Sequence, residues 1–314
     1  MKIAVIGAGN WGINLVRNLR DLGALSHVAE AVPGLRNRVR GEADEVDLLD
    51  DYRPLLAADI DGVAIATPVP THAAIAGEFL AAGKDVFVEK PMTFTVAEAE
   101  DLVASAEQHG RVLMVGHLLL YQPAIAWLKK YLDAGKLGRV FSFHQERMKL
   151  GRARAAENVL WSLGVHDVAV LLYLSGTPPV ATTFSGHCGL QENIADDTYL
   201  HMEFPGEVKA HLHNSWLWPE NRRRLTVVGE KGMLVYDEVA QNVILHRKSI
   251  DSDLQNQDLG EEVLFEGSGQ PLRLEMEHFI ECINTRETPR SDGSNGLDVV
   301  RVLESVTSPG ISGR

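Results

Sequence analysis

The 314-residue chain holds two cysteines, Cys188 and Cys282, and that scarcity excludes a disulfide-stapled scaffold. It has no apolar run long enough to span a bilayer. The apolar start at residues 2–6 is broken by Gly7 and Gly9, unlike a secretory leader. Positive charge is scarce as well: 30 Lys and Arg stand against 43 Asp and Glu, a formal net charge of -13. Such a chain repels phosphate backbones and anionic membranes, so neither nucleic acid nor membrane is expected as a partner. What remains is an acidic enzyme or binding protein of the cytoplasm. Hydrophobic residues at 45% and charged residues at 23% are ordinary for a globular chain, and the length suits two domains.

The first third alternates short apolar runs with helical stretches. Residues 3–6, 28–32, 62–66, 85–88 and 112–116 read as strands, and 11–22, 72–82 and 95–109 as helices. Thr95, with Glu98 three residues on, is a capping box. This alternation predicts an α/β domain with a doubly wound parallel sheet over residues 1–120. After His117 the texture changes. Helical stretches at 123–132 and 157–174 flank a strand at 140–148. Strand-like runs then follow closely at 181–186, 198–204, 208–215, 223–229, 233–236 and 243–246. They predict an α+β domain with an antiparallel sheet over 121–314. Residues 251–269 are polar and read as an exposed loop, and 273–284 and 296–306 as closing helices.

Gly7-Ala8-Gly9-Asn10-Trp11-Gly12 fits G-x-G-x-x-G, directly after a strand and at a helix start. Gly7 permits the tight turn, Gly9 lets backbone approach a pyrophosphate, and Gly12 lets helix and strand pack closely. The helix N-terminus then offers N–H groups to the phosphates. An acid is expected at the end of the second strand for the adenine ribose. Counting from Gly12 lands near Val32, where there is none. Glu30 lies two residues early, and Arg36 and Arg38 follow, so NAD and NADP both stay open. Further on, Val86-Phe87-Val88 ends in Glu89-Lys90-Pro91. Lys90 thus sits at the carboxyl end of a strand, the edge where open α/β sheets bind ligands.

With Ala66-Thr67-Pro68, Thr71-His72 and Leu113-Met114-Val115-Gly116-His117 added, these motifs occur in the order and spacing of the Gfo/Idh/MocA oxidoreductases. The chain resembles that family over nearly its whole length, most specifically over residues 1–120. The resemblance implies a Rossmann domain, then an α+β domain with an open, mostly antiparallel sheet, and a homodimer or homotetramer. It implies oxidation or reduction of a sugar or cyclitol carbon with NAD, NADP being the alternative. Lys90 would lie beside the nicotinamide and the reacting hydroxyl, with His166 the second catalytic group. Gly7, Gly9, Asn10, Trp11, Gly12, Thr67, Pro68, His72, Glu89 and Lys90 would contact the cofactor. Many members carry an aspartate four residues before the histidine. Ser162 stands there instead, and Asp167, next to His166, points away from it on a helix.

Within the family, Arg147, Arg152, Arg154, Asn158, Trp161 and the Ser162…His166-Asp167 stretch resemble the branch that oxidises UDP-N-acetylglucosamine, or its uronic acid, at C3. A separate aminotransferase then aminates the keto sugar. The resemblance makes His117, Arg147, Arg152, Arg154, Asn158 and Trp161 substrate contacts, the arginines suiting a diphosphate. A dehydrogenase of a free sugar or inositol, a nucleotide-binding sensor without turnover and a hydrolase using NAD transiently are the competing readings. His144, His187, His201, His211 and His213 fall on neighbouring strands, but no cysteine or carboxylate completes a ligand set, so no metal is expected.

Overall fold

The computed structural model describes residues 1–155 and 157–307. The first part of the chain runs β1 (Ile3–Ile6), α1 (Gly12–Asp21), β2 (Leu25–Ala29), α2 (Pro33–Glu42), β3 (Asp47–Leu49), β4 (Gly62–Ile65), α3 (His72–Ala81), β5 (Asp85–Val88), α4 (Val96–His109) and β6 (Leu113–Val115). Every strand pair is parallel, in the order β3-β2-β1-β4-β5-β6. The central strands β1, β4 and β5 are buried along their whole length, as expected of strands covered on both faces. The strand order reverses between β1 and β4, which makes their carboxyl ends the ligand-binding crevice of such a sheet. Half of the expected capping box forms: Thr95 Oγ1 accepts from the Glu98 N–H at 3.3 Å, while the Glu98 carboxylate takes up the Thr95 hydroxyl, which donates to it at 2.9 Å, instead of the Thr95 N–H.

One strand departs from expectation. β2 ends at Ala29, not Val32. Pro33 occupies the first turn of α2, where its fixed φ and missing N–H suit a helix start, and Val32 becomes the cap.

The second part runs α5 (Pro123–Asp133), β7 (Val140–Met148), a π-turn at Leu160–Gly164 that continues into α6 (Val165–Ser175), then β8 (Ala181–His187), β9 (Asp197–Phe204), β10 (Val208–Ser215), β11 (Arg222–Gly229), β12 (Gly232–Asp237), β13 (Asn242–Ile250) and β14 (Asn256–Glu266). The sheet order is β14-β13-β12-β11-β7-β10-β9-β8. The β7–β10 pair is parallel and the others are antiparallel. The fold is thus a Rossmann sheet plus an α+β sheet, as the sequence predicts. Residues 251–269 are the exception. Most of them, Asn256–Glu266, form the exposed edge strand β14, and only the flanking residues are loop. The charges of β14 pair across to β13, as in His246–Glu261, Arg247–Glu262 and Lys248–Asp258. The Asp251 carboxylate caps the turn by accepting from the N–H groups of Asp253 and Gln255.

The chain then closes with α7 (Pro271–Thr285) and α8 (Gly293–Val306). Two compact units result among the described residues, 1–118 with 270–300, and 119–269 with the residues that follow 300. The simple division at residue 120 is therefore corrected, because 270–300 returns to the parallel sheet. Arg286 pairs with the buried Asp85 carboxylate at 2.7 and 2.9 Å. Phe279 packs on Phe87 with ring centres 5.9 Å apart. Ser291 O accepts from the Val115 N–H of β6 at 2.7 Å. Among the described residues, no helix is long and apolar enough to cross a membrane.

Candidate active site

The glycine loop leaves β1 and enters α1 with no room to spare at two positions. A Cβ on Gly12 would lie 2.1 Å from Gly7 O, and Gly7 has φ +86°. Gly9 has nothing within 4 Å of its Cβ position, so its backbone is open to an approaching group. Because β2 stops at Ala29, Glu30 is the first residue past its carboxyl end. Its carboxylate accepts from the Ala8 N–H of the loop at 2.6 Å and from the Val32 N–H at 2.8 Å. These bonds use two of about four acceptor sites on a carboxylate. The expectation that no acid stands at the strand end is thereby overturned. Arg36 is not a free phosphate ligand either: its Nη1 donates to the carbonyls of Glu30 and Ala31 at 2.7 and 2.8 Å.

The other motifs of this unit meet at the same edge. The Trp11 indole N–H donates to Glu89, which ties the glycine loop to the end of β5. A Cβ on Gly7 would touch Ala66 and Thr67, at the end of β4. His72 is buried, with Nε2 2.9 Å from Thr67 O and Nδ1 3.0 Å from Pro91 O. It ties two loops together, and burial lowers its pKa. Lys90 is half-buried. Beside it, Glu89 is buried, and burial pushes its carboxyl up to about 7 against the pull of the Trp11 indole and the Lys90 charge. His117 is 1% exposed. Burial first, and the Lys90 charge second, push its pKa down to about 3, so the ring is neutral. Neither of its ring nitrogens has a hydrogen-bond partner among the described residues. Asn10 is exposed, Thr67 half-buried and Pro68 exposed.

In the second unit, His166 is half-buried in the first turn of α6, directly after the π-turn. Its neighbour Asp167 is wholly buried, and burial holds it above the usual carboxylate range despite Arg147 and Asn214. Arg147 Nε donates to Asp167 Oδ1 at 2.8 Å, and its Nη2 to Glu238 Oε2 at 2.7 Å. Arg223 completes Glu238 at 2.8 Å, and Asn214 Nδ2 completes Asp167 at 2.7 Å. Asn214 reaches Asp167 past Gly164, where a Cβ would lie 2.5 Å from Asn214 Oδ1.

These contacts correct three expected substrate residues. Arg147 spends its guanidinium on a buried ion network. Asn158 is buried and caps the π-turn, accepting from the Trp161 N–H at 3.1 Å. Trp161 is buried too, and its indole N–H donates to Thr307 O at 3.2 Å. Arg152 and Arg154 remain exposed on the stretch after β7, with Arg154 Nε 3.8 Å from the Glu157 carboxylate. Ser162 Oγ donates to Val159 O at 3.3 Å. His144, His201 and His211 stand in register on β7, β9 and β10, with His201 Nδ1 2.7 Å from His211 Nδ1. Among the described residues, no group of three or more His, Cys, Asp or Glu is arranged to hold a metal ion.

Residues 1–117 match the profile of an oxidoreductase family with an NAD-binding Rossmann fold, and residues 125–235 match the GFO/IDH/MocA C-terminal domain. The chain belongs to the GFO/IDH/MocA oxidoreductase family. A solved oxidoreductase from Magnetospirillum magnetotacticum is 32% identical, covers 98% of this chain and 99% of its own, and superposes with a TM-score of 0.85. UDP-N-acetylglucosamine 3-dehydrogenase from Acidithiobacillus ferrooxidans is 26% identical over 309 residues, which is 96% of this chain and 94% of that one. Its crystal structure covers 98% of this chain and 96% of its own, at 25% identity and a TM-score of 0.88. The scyllo-inositol 2-dehydrogenase (NAD(+)) of Bacillus subtilis is 26% identical over 318 residues, 92% of this chain and 88% of that one.

The first unit of this GFO/IDH/MocA protein fits NAD. The open Gly9 backbone, the helix that follows it and the Glu30 carboxylate supply the groups that a pyrophosphate and an adenine ribose require. Sequence reasoning missed Glu30 as a strand-end acid because it ran β2 three residues too far. The signal was Pro33, which opens a helix and pulls the strand end back. It also set Asp167 aside as pointing away from His166. Nothing in the sequence marks Arg147, Asn214 and Glu238 as its partners.

Proposed function

We propose that the chain oxidises a secondary alcohol of a sugar with NAD, the sugar being UDP-N-acetylglucosamine and the reacting carbon C3. The observation that carries the reading is the gathering of the glycine loop, Glu30, Lys90 and the unpartnered, neutral His117 along one carboxyl edge of the parallel sheet. When bound, NAD supplies the hydride acceptor. Glu30 holds the adenine ribose hydroxyls, and its charge disfavours a 2′-phosphate. The Lys90 ammonium donates a hydrogen bond to the reacting oxygen and stabilises the alkoxide that forms as its proton leaves. His117 bonds a neighbouring hydroxyl. His166 takes the proton. The exposed Arg152 and Arg154 bind the diphosphate, whose oxygens suit guanidinium.

The similarity to the Acidithiobacillus enzyme along the whole chain supports the sugar nucleotide. The keto product would pass to a separate aminotransferase. Assembly into a homodimer or homotetramer through the sheet face that carries the exposed Tyr199 belongs to the same reading, as does a cytoplasmic location. The equal identity of the inositol dehydrogenase supports a second reading, a free cyclitol.

The experiment is NAD reduction with UDP-N-acetylglucosamine, with an aminotransferase and amino donor present to draw off the keto sugar. Turnover is expected with NAD. Lys90→Ala and His166→Asn each cut it about 10²- to 10⁴-fold with NAD binding retained. Arg152→Ala/Arg154→Ala raises KM for the sugar nucleotide about tenfold or more. Turnover of scyllo- or myo-inositol, without turnover of the nucleotide, would replace the first reading by the second.

A further inference from the structure

We propose that Glu275 holds a proton inside the first unit so that Glu89, the carboxylate beside Lys90, carries the charge. Glu275 lies in the second turn of α7 and is 1% exposed. Its Oε1 has no hydrogen-bond partner among the described residues. Phe279, one helical turn further on, packs on Phe87, which lies two residues before Glu89 on the same face of β5, so α7 runs against this strand; the charge that acts on Glu275 there is another anion, Glu89. On its own helix, Arg273 is spent on Glu277 at 2.9 Å.

Glu89 is better provided for. It accepts from the Trp11 indole N–H and, at 3.3 Å, from the Lys90 N–H. The chain has shaped space for it: a Cβ on Gly116 would lie 2.9 Å from Glu89 Oε2. The groups acting on Glu89 are Trp11 from the glycine loop and Lys90 beside it, and its own charge reaches Glu275 on α7.

The protonation pattern follows from the donor count. Two neighbouring buried carboxylates do not both ionise near neutral pH. The oxygens that receive N–H bonds and face the cation carry the charge, and those are Glu89's. The acid without such donors keeps the proton, and burial drives it that way too. Glu275 is therefore a positioning residue. It touches no substrate and acts on Lys90 through Glu89. An ionised Glu275 would drive the proton onto Glu89 and take away the anion beside Lys90.

The inference rests on the reading of Lys90 given above, but its test uses neither NAD nor sugar. Infrared spectra of the protein with ¹³C-labelled glutamate are expected to show a protonated carboxyl at pH 8. The band is lost in Glu275→Gln. In Glu89→Gln the band titrates lower by about one pH unit or more, because the like charge is gone. Absence of the band in the wild type at pH 8, or an unmoved titration in Glu89→Gln, overturns the pairing.

Thermal unfolding gives a second, independent readout. The unfolded Glu275 loses its proton above about pH 4.5 while the folded one retains it, so this residue costs stability as pH rises. The Tm of Glu275→Gln relative to wild type should therefore climb by roughly 10 °C between pH 5 and pH 8. A constant offset reports packing alone, and a difference flat over that range overturns the proposal. Failure of the sugar-nucleotide assay would leave both readouts as they are.

Discussion

Arg147→Met tests whether this arginine serves the fold or the substrate. The side chain is 7% exposed and bonds to two buried carboxylates, Asp167 at 2.8 Å and Glu238 at 2.7 Å. Methionine fills the space but leaves both anions without their cation. Breaking such a buried pair by removing one partner costs about 3–5 kcal/mol. For a unit of this size that lowers Tm by roughly 10 °C. The loss depends on pH with a definite sign. Burial pushes Glu238 up, but Arg147 and Arg223 outweigh it and hold its pKa below the usual value. Its contribution is therefore full above about pH 4.5 and fades as the pH falls through the folded value. The deficit of the variant should be largest at pH 7–8 and shrink toward pH 4. Differential scanning calorimetry across that range measures it, and initial rates give KM for UDP-N-acetylglucosamine alongside. A Tm within about 2 °C of wild type, together with a KM raised about tenfold or more, would refute the structural role and return Arg147 to the diphosphate.

Glu30→Gln should weaken NAD about tenfold and narrow the preference for NAD over NADP, because the charge that repels a 2′-phosphate is gone. Fluorescence titration of both cofactors measures this, and an unchanged ratio of the two Kd values would count against the strand-end role. Gly164→Ala would set a methyl 2.5 Å from Asn214 Oδ1 and 2.6 Å from Leu160 Cδ1. It should cost about 1–3 kcal/mol in urea unfolding and lower kcat by displacing the turn that carries His166. A variant with wild-type midpoint and kcat would remove Gly164 from that role.

The parallel sheet was legible because its signals are local. Apolar runs such as Ile3–Ile6 and the helix signals between them declare a βαβ alternation without reference to distant residues. The glycine loop and Lys90 were legible for the same reason, each sitting at a strand end that the sequence marks. What escaped depends on partners far along the chain. Glu275 is an ordinary helical glutamate until α7 packs and burial brings it under the influence of Glu89. Arg147, read as a phosphate ligand, turns inward because Asp167 lies 20 residues later and Glu238 lies 91. β14 was read as a loop because an exposed edge strand needs no apolar alternation. Trp161 was the reverse case: a motif residue whose neighbourhood is the interior.

The return of residues 270–300 to the first unit bears on how the chain is made. During synthesis the six parallel strands emerge long before α7. Until it arrives, Asp85 lacks Arg286, Phe87 lacks Phe279, and the β6 edge lacks the carbonyl of Ser291. A nascent chain stopped anywhere in the second unit therefore carries a dinucleotide fold with a bare apolar flank and an uncompensated buried acid. Such a species is the kind that chaperones retain. The nucleotide-binding half is complete when the last helices leave the ribosome, so a chain cut short near its end loses the beginning of its fold.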